Sequence, residues 1–183
     1  MKKHNLAFID LETTGFDPVK QDIVELACIV VEQVPRPGKG PDLKVISELE
    51  LKIQPLNIAA ADPEALRING YNSADWLFAV TLEQALAALN EKAKDCIMVG
   101  QNVTFDWLFL QEAFKKTGIK NQMHYHKLDV IPMAFAKHYH DERLQYFSLK
   151  NLADYFGLKN EKAHTAMADI KLTLEIYKKV VGI

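Results

Sequence analysis

The segment DLETTG at residues 10–15 sets two carboxylates, Asp10 and Glu12, two positions apart. In a strand, side chains at i and i+2 point to the same side, so both acids project from a strand end on the face shared by Leu6 and Phe8. Carboxylates placed together repel one another, and a hard divalent cation with oxygen ligands offsets that cost most directly. Gly15, after Thr13 and Thr14, lets the backbone turn close beside the pair. Alone, D-x-E is a weak signal that equally describes a solvated strand end followed by a turn. Partners for it stand far along the chain. In GQNVTFD, Asp106 follows a buried strand at the start of a helix, whose N-terminus favours a carboxylate. In HTAMAD, His164 stands near the start of the last helix, with Asp169 five residues on and the small Ala166 between them.

The elements that position these groups follow from pattern and punctuation. Leu6 to Leu11 and Ile23 to Val31 are apolar runs, and Ser47 to Ile53 alternates apolar with charged residues, which predicts three strands. PRPGKGP, between the second and third, reads as an exposed connection within one domain. Asp62-Pro63 opens a short helix closed by Gly70, and Thr81 with Gln84 forms a capping box for the next. Ile97 to Val99 reads as a buried strand and Phe105 to Lys116 as a helix ended by Gly118. Leu128 to Val130 is a last short strand. After it come helical stretches around Pro132 to Ala136 and from Ser148 to Phe156, then a final helix with Ala166, Ile170, Leu174, Tyr177 and Val181 at helical spacing. The order predicts a mixed-sheet α/β domain over 1–183.

Composition bounds the partners. A chain of 183 residues, 49% hydrophobic and 25% charged, is long enough to bury one core. A formal charge of −2 supplies no general attraction for a polyanion, so a nucleic-acid partner must be held by metal ions and local lysines. Cys28 and Cys96 each sit in an apolar run and read as buried small hydrophobes, which suits a reducing compartment. The stretch LAFI meets Asp10 too soon for a signal peptide or membrane span, so the expectation is a soluble cytoplasmic protein with no membrane partner.

The ordered set DLETTG, N-x-x-F-D and H-x-A-x-x-D resembles the three motifs of the DEDDh (DnaQ-like) 3'-5' exonuclease family. That family includes the proofreading epsilon subunit of bacterial DNA polymerase III, RNase T and oligoribonuclease. The resemblance runs from about Leu6 to Val181 and implies an RNase H-like fold, a mixed five-stranded sheet flanked by helices. It also implies that Asp10, Glu12, Asp106 and Asp169 hold two divalent metal ions, Mg²⁺ or Mn²⁺, with His164 as general base. Paired ions roughly 3.5–4 Å apart stabilise both the attacking and the leaving oxygen of an in-line displacement at phosphorus. A histidine of pKa about 6.5 accepts a proton near neutral pH. The expected activity is release of nucleoside monophosphates from single-stranded 3' ends, DNA slightly favoured over RNA. An RNA exonuclease is the alternative of the same class, and a non-catalytic nucleic-acid-binding module the rival of a different one.

Substrate contacts are expected from Thr13 and Thr14 beside the acids. DPEALRING resembles an epsilon-subunit stretch that meets the terminal nucleotide, which maps Ile68 and Asn69 there, Asn69 replacing the family's histidine. Phe105 is placed to pack on the last base or sugar, and is equally a core aromatic. The pairs His124/His126 and His138/His140 lack a third ligand nearby in sequence and read as surface residues. Asp129 in the last strand reads equally as a supporting or a plain structural acid, and Glu25 as structural. Lys115, Lys116 and Lys120 read as a solvated helix end. The sequence leaves open a homodimer; the chain ends soon after the Asp169 helix, which makes polymerase association the weaker expectation.

Overall fold

The computed structural model describes residues 3–38, 40–159 and 165–183. Three antiparallel strands come first: β1 (Leu6–Thr13), β2 (Ile23–Val34) and β3 (Asp42–Lys52). Helices α1 (Pro63–Asn69) and α2 (Leu82–Ala93) follow, then β4 (Ile97–Gly100), α3 (Val103–Thr117) and β5 (Lys127–Asp129). Three helices close the chain: α4 (Val130–Lys137), α5 (Leu149–Phe156) and α6 (Ala166–Val181). The sheet order is β3-β2-β1-β4-β5, with β1, β4 and β5 parallel, so the mixed five-stranded sheet expected from the motifs is present.

β1 is central, and its residues from Leu6 to Ile9 are all buried because helices cover both faces. Leu6 and Phe8 point into one cluster with Ala166, Ile170 and Tyr177 of α6, whereas Ala7, Ile9 and Leu11 point into another with α2 and α3. The Phe8 and Tyr177 rings meet edge-on at 5.3 Å, a geometry that adds about 0.5–1.5 kcal/mol beyond area burial. Period two then sends Asp10 and Glu12 toward α6. The carboxyl ends of β1, β4 and β5 lie along one edge of the sheet, where open α/β sheets build their sites.

Several boundaries differ from the pattern reading. β3 begins at Asp42, earlier than Ser47, because it pairs with β2 from Glu25 to Val34, so the strands on both sides run up to the PRPGKGP connection at residues 35–41. α3 begins at Val103, two residues early, because Asp129 caps it from outside. The Asp129 carboxylate accepts from the backbone of Asn102 at 3.2 Å and Val103 at 3.0 Å, and also from Ile131 of α4 at 2.9 Å. That cap also places Val130 in α4 rather than in the strand. Asn102 turns the chain into α3 at φ 58°, a left-handed conformation asparagine tolerates. A Cβ on Gly100 would come within 3.3 Å of the Ile9 carbonyl, so glycine permits the close approach of this turn to β1. The buried stripe of α6 ends at Val180, and Val181 is exposed. Asp62 and Thr81 with Gln84 cap their helices as the sequence indicates, and Ser148, read as the first residue of its helix, is instead its N-cap, accepting from Asn151. No helix among the described residues is long and apolar enough to cross a membrane.

Candidate active site

Asp10 and Glu12 from β1 meet Asp169 from the first turn of α6, each half-buried, with carboxylate oxygens all within 4.8 Å of one another. A helix N-terminus favours the charge of Asp169, and Thr165 caps that turn by accepting from Ala168. Asp106 stands outside this set of three. It occupies the buried stripe of α3 with Val103, Phe109, Leu110 and Ala113, so its side chain is driven against β1 and accepts from the Leu11 backbone at 3.0 Å. His164 lies outside the described residues.

The electrostatics record crowded, desolvated carboxylates. Burial lifts the Asp10 carboxyl well above the usual range, and the neighbouring Asp106, Glu12, Asp169 and Glu25 add to it. Glu12 is raised to about 7 by burial, then by Glu25 and Asp169. Asp106 is pushed to about 8 by burial, against the opposing pull of its backbone hydrogen bonds. Among the described residues the leading influences on Asp10 and Glu12 are burial and other carboxylates. Half-buried carboxylate oxygens gathered this closely fit a hard divalent metal. Among the described residues no other cluster of His, Cys, Asp and Glu meets the same geometry.

These shifts set a pH dependence. A carboxyl with a folded-state pKa above its unfolded value binds its proton more tightly in the native chain. Its stabilising contribution is full below the unfolded pKa, near 4, and is lost as pH rises through the folded values of about 7 and 8. The metal-free protein is therefore expected to lose on the order of 2–3 kcal/mol between pH 5 and pH 8 from Glu12 alone. Thermal melts in EDTA should show a falling Tm over that window, with the slope reduced by millimolar Mg²⁺; a metal-free Tm that rises with pH would refute the strained acid cluster.

The residues expected at the substrate divide into two groups. Glu12, Thr13, Ile68 and Phe105 line a cavity of about 190 Å³ together with Phe16, Leu11, Gly15 and Ala65. Thr14 is fully buried, its hydroxyl donating to Gln21 and accepting from the Asp22 backbone, so it shapes the turn after β1. Asn69 is also buried: its amide donates to the Thr13 carbonyl at 3.0 Å and accepts from the Tyr71 backbone. Its amide is thus committed to tying α1 to the end of β1. A Cβ on Gly15 would lie 2.9 Å from the Gln21 side chain, which explains glycine in this turn.

One residue beside the acids, Phe16, is not marked out by the sequence pattern, and another, Glu25, reads there only as structural. Phe16 is 82% exposed in the turn after β1, and its ring meets Phe105 edge-on at 6.3 Å. A large apolar residue straight after the glycine of a turn was the available signal. Glu25 is buried directly opposite Glu12 in the β1–β2 register, next to an irregularity at Glu12/Thr13. Its own carboxyl is raised by burial and then by Glu50, with Lys52 opposing. Only the hairpin register reveals it. His124 and His126 stack at 5.0 Å, and His138 bonds the Tyr155 hydroxyl at 3.0 Å, so these are packed, half-buried side chains rather than simple surface groups.

A family model described as Exonuclease (RNase_T) matches residues 7–177. The chain belongs to this exonuclease family. It is 25% identical over 175 residues to a PolC-type DNA polymerase III of Caldanaerobacter subterraneus, covering 94% of this chain and 11% of the relative. It is 33% identical over 122 residues to ribonuclease T of Haemophilus influenzae, covering 61% of this chain and 52% of that protein. The structure of E. coli exonuclease I in complex with a dA16 oligonucleotide superposes with a TM-score of 0.80 at 20% identity, over 98% of this chain and 41% of that one. The exonuclease I likeness establishes a shared fold.

Proposed function

We propose that the chain is a 3'-5' exonuclease that removes nucleoside monophosphates from single-stranded nucleic acid, with residues 1–183 forming one catalytic domain. The observation that carries this reading is the convergence of Asp10, Glu12 and Asp169 within 4.8 Å in a chain of the exonuclease family. In this reading these three acids and Asp106 hold two divalent ions, Mg²⁺ or Mn²⁺, availability selecting between them. When bound, such ions neutralise charge on the phosphate and on the attacking and leaving oxygens.

The remaining work belongs to the chain. The cavity beside Glu12 takes the terminal base, with Phe16, Ile68 and Phe105 offering apolar surface that accepts any base. Thr13 at its rim meets the terminal nucleotide through its backbone, and Thr14 and Asn69 keep that backbone in place. His164 accepts the proton of the attacking water. Water adds to phosphorus, the bond to the 3' oxygen of the penultimate sugar breaks, and that oxygen leaves with a proton from solvent. Buried reduced cysteines at positions 28 and 96 suit the cytoplasm as the place of action.

DNA is slightly favoured as substrate, on the DPEA stretch and the match to a DNA polymerase; the ribonuclease T match favours the RNA reading. Digestion of paired 3'-labelled DNA and RNA strands of one sequence, with Mg²⁺ and with Mn²⁺, decides. Faster mononucleotide release from DNA supports the first reading, faster release from RNA the second. Binding of both strands without cleavage under either metal would leave only a binding module.

A further inference from the structure

The net charge of −2 gives a polyanion little general attraction, so a strand needs a hold besides the acid cluster. α4 and the segment leading into α5, both next to α6, carry aromatic side chains left open to solvent. Phe135 is 49% exposed, Tyr139 65% and Tyr146 69%. Two of them adjoin: the Phe135 ring meets Tyr139 at 5.4 Å and the partly buried Phe147 at 5.6 Å. The strip is also tied to the active edge of the sheet. Gln101, between β4 and α3, donates its amide to the Phe147 carbonyl at 2.7 Å, while its own side-chain oxygen is buried without a hydrogen-bond partner. Asp169 of the acid cluster lies on α6, which packs against both α4 and α5.

We propose that Phe135 and Tyr139, backed by Phe147, form a stacking strip for nucleotides upstream of the scissile bond in a single strand. The inference rests on the exonuclease reading above for the identity of the strand. Aromatic faces suit this occupant because every base has a π-face, and stacking needs no particular sequence. The neighbouring cations are already engaged: Arg143 with Asp141 at 2.6 Å, and Lys137 with the Lys179 carbonyl at 3.3 Å. Stacking, rather than phosphate pairing, therefore dominates the hold on this segment, and its contribution is only weakly sensitive to salt.

The test compares Phe135→Ala and Tyr139→Ala with the wild type on a dinucleotide and a 12-nucleotide strand. Both side chains are exposed enough that an unchanged Tm is expected, and Tyr139→Trp should restore what Tyr139→Ala loses. The strip predicts a KM raised about 5- to 100-fold on the 12-mer, with dinucleotide kinetics and the 12-mer kcat unchanged. Equal KM values for wild type and variants on the 12-mer would overturn the strip while leaving the exonuclease reading intact. If the wild type cleaves neither substrate, fluorescence anisotropy with the labelled 12-mer replaces kinetics. Binding weakened in the variants then supports the strip on a non-catalytic protein, and unweakened binding overturns it.

Discussion

Asp10→Asn is expected to lower metal-dependent nucleotide release by about 10³-fold or more, while raising the Tm of the metal-free protein. The two effects share one cause. Burial deprives Asp10 of water, and Asp106, Glu12, Asp169 and Glu25 crowd it, so its charge strains the metal-free protein. An isosteric amide removes that charge and should return about 2–4 °C of Tm for each kcal/mol recovered in a chain of this size. The same charge is what a divalent cation requires, and a site that loses several kcal/mol of metal-derived stabilisation loses about a decade of rate per 1.36 kcal/mol. The measurement pairs a steady-state assay in Mg²⁺ with melts in EDTA at pH 8. Lost activity with a lowered Tm would point to misfolding and contradict the account.

His164→Ala is expected to cost about 10²- to 10⁴-fold in kcat, the usual range for a positioned base. Unlike Asp10→Asn, it should leave metal affinity and the metal-free Tm near their wild-type values, because no acid of the cluster is changed. A second signature separates a base from a structural histidine. The wild-type rate should fall as pH drops through the histidine range near 6.5, and that limb should flatten in the variant. Wild-type kcat in a folded His164→Ala protein would remove the residue from the mechanism.

How far the sequence foretold this arrangement varies with the physics of each residue. Period two along LAFIDLET placed Asp10 and Glu12 on the Leu6 and Phe8 face, and that is the face α6 covers, so Asp169 arrives where the pattern points. Helix capping was equally legible because it depends on residues within one turn, as with Thr81 and Gln84. Long-range pairing was not. Glu25 sits opposite Glu12 only because of the hairpin register, and Asp129 advances the start of α3 through hydrogen bonds spanning more than 25 positions. Asn69 shows the same limit: its place in the motif suggested a nucleotide contact, whereas folding spends its amide on Thr13 and Tyr71. Asp106 lay in plain view as an acid within an apolar helical stripe, yet its buried bond to Leu11 and its place outside the set of three follow from packing.

An acid cluster that drives metal-dependent removal of single nucleotides from the 3' end fixes the order in which products leave a strand. The most direct test digests one single strand carrying a 5' label in one arm and a 3' label in the other, with Mg²⁺ and with EDTA. The account predicts mononucleotide as the first product from the 3' label, a ladder shortening one nucleotide at a time from the 5' label, and silence in EDTA. Internal fragments at early times, or undiminished cleavage in EDTA, would contradict it.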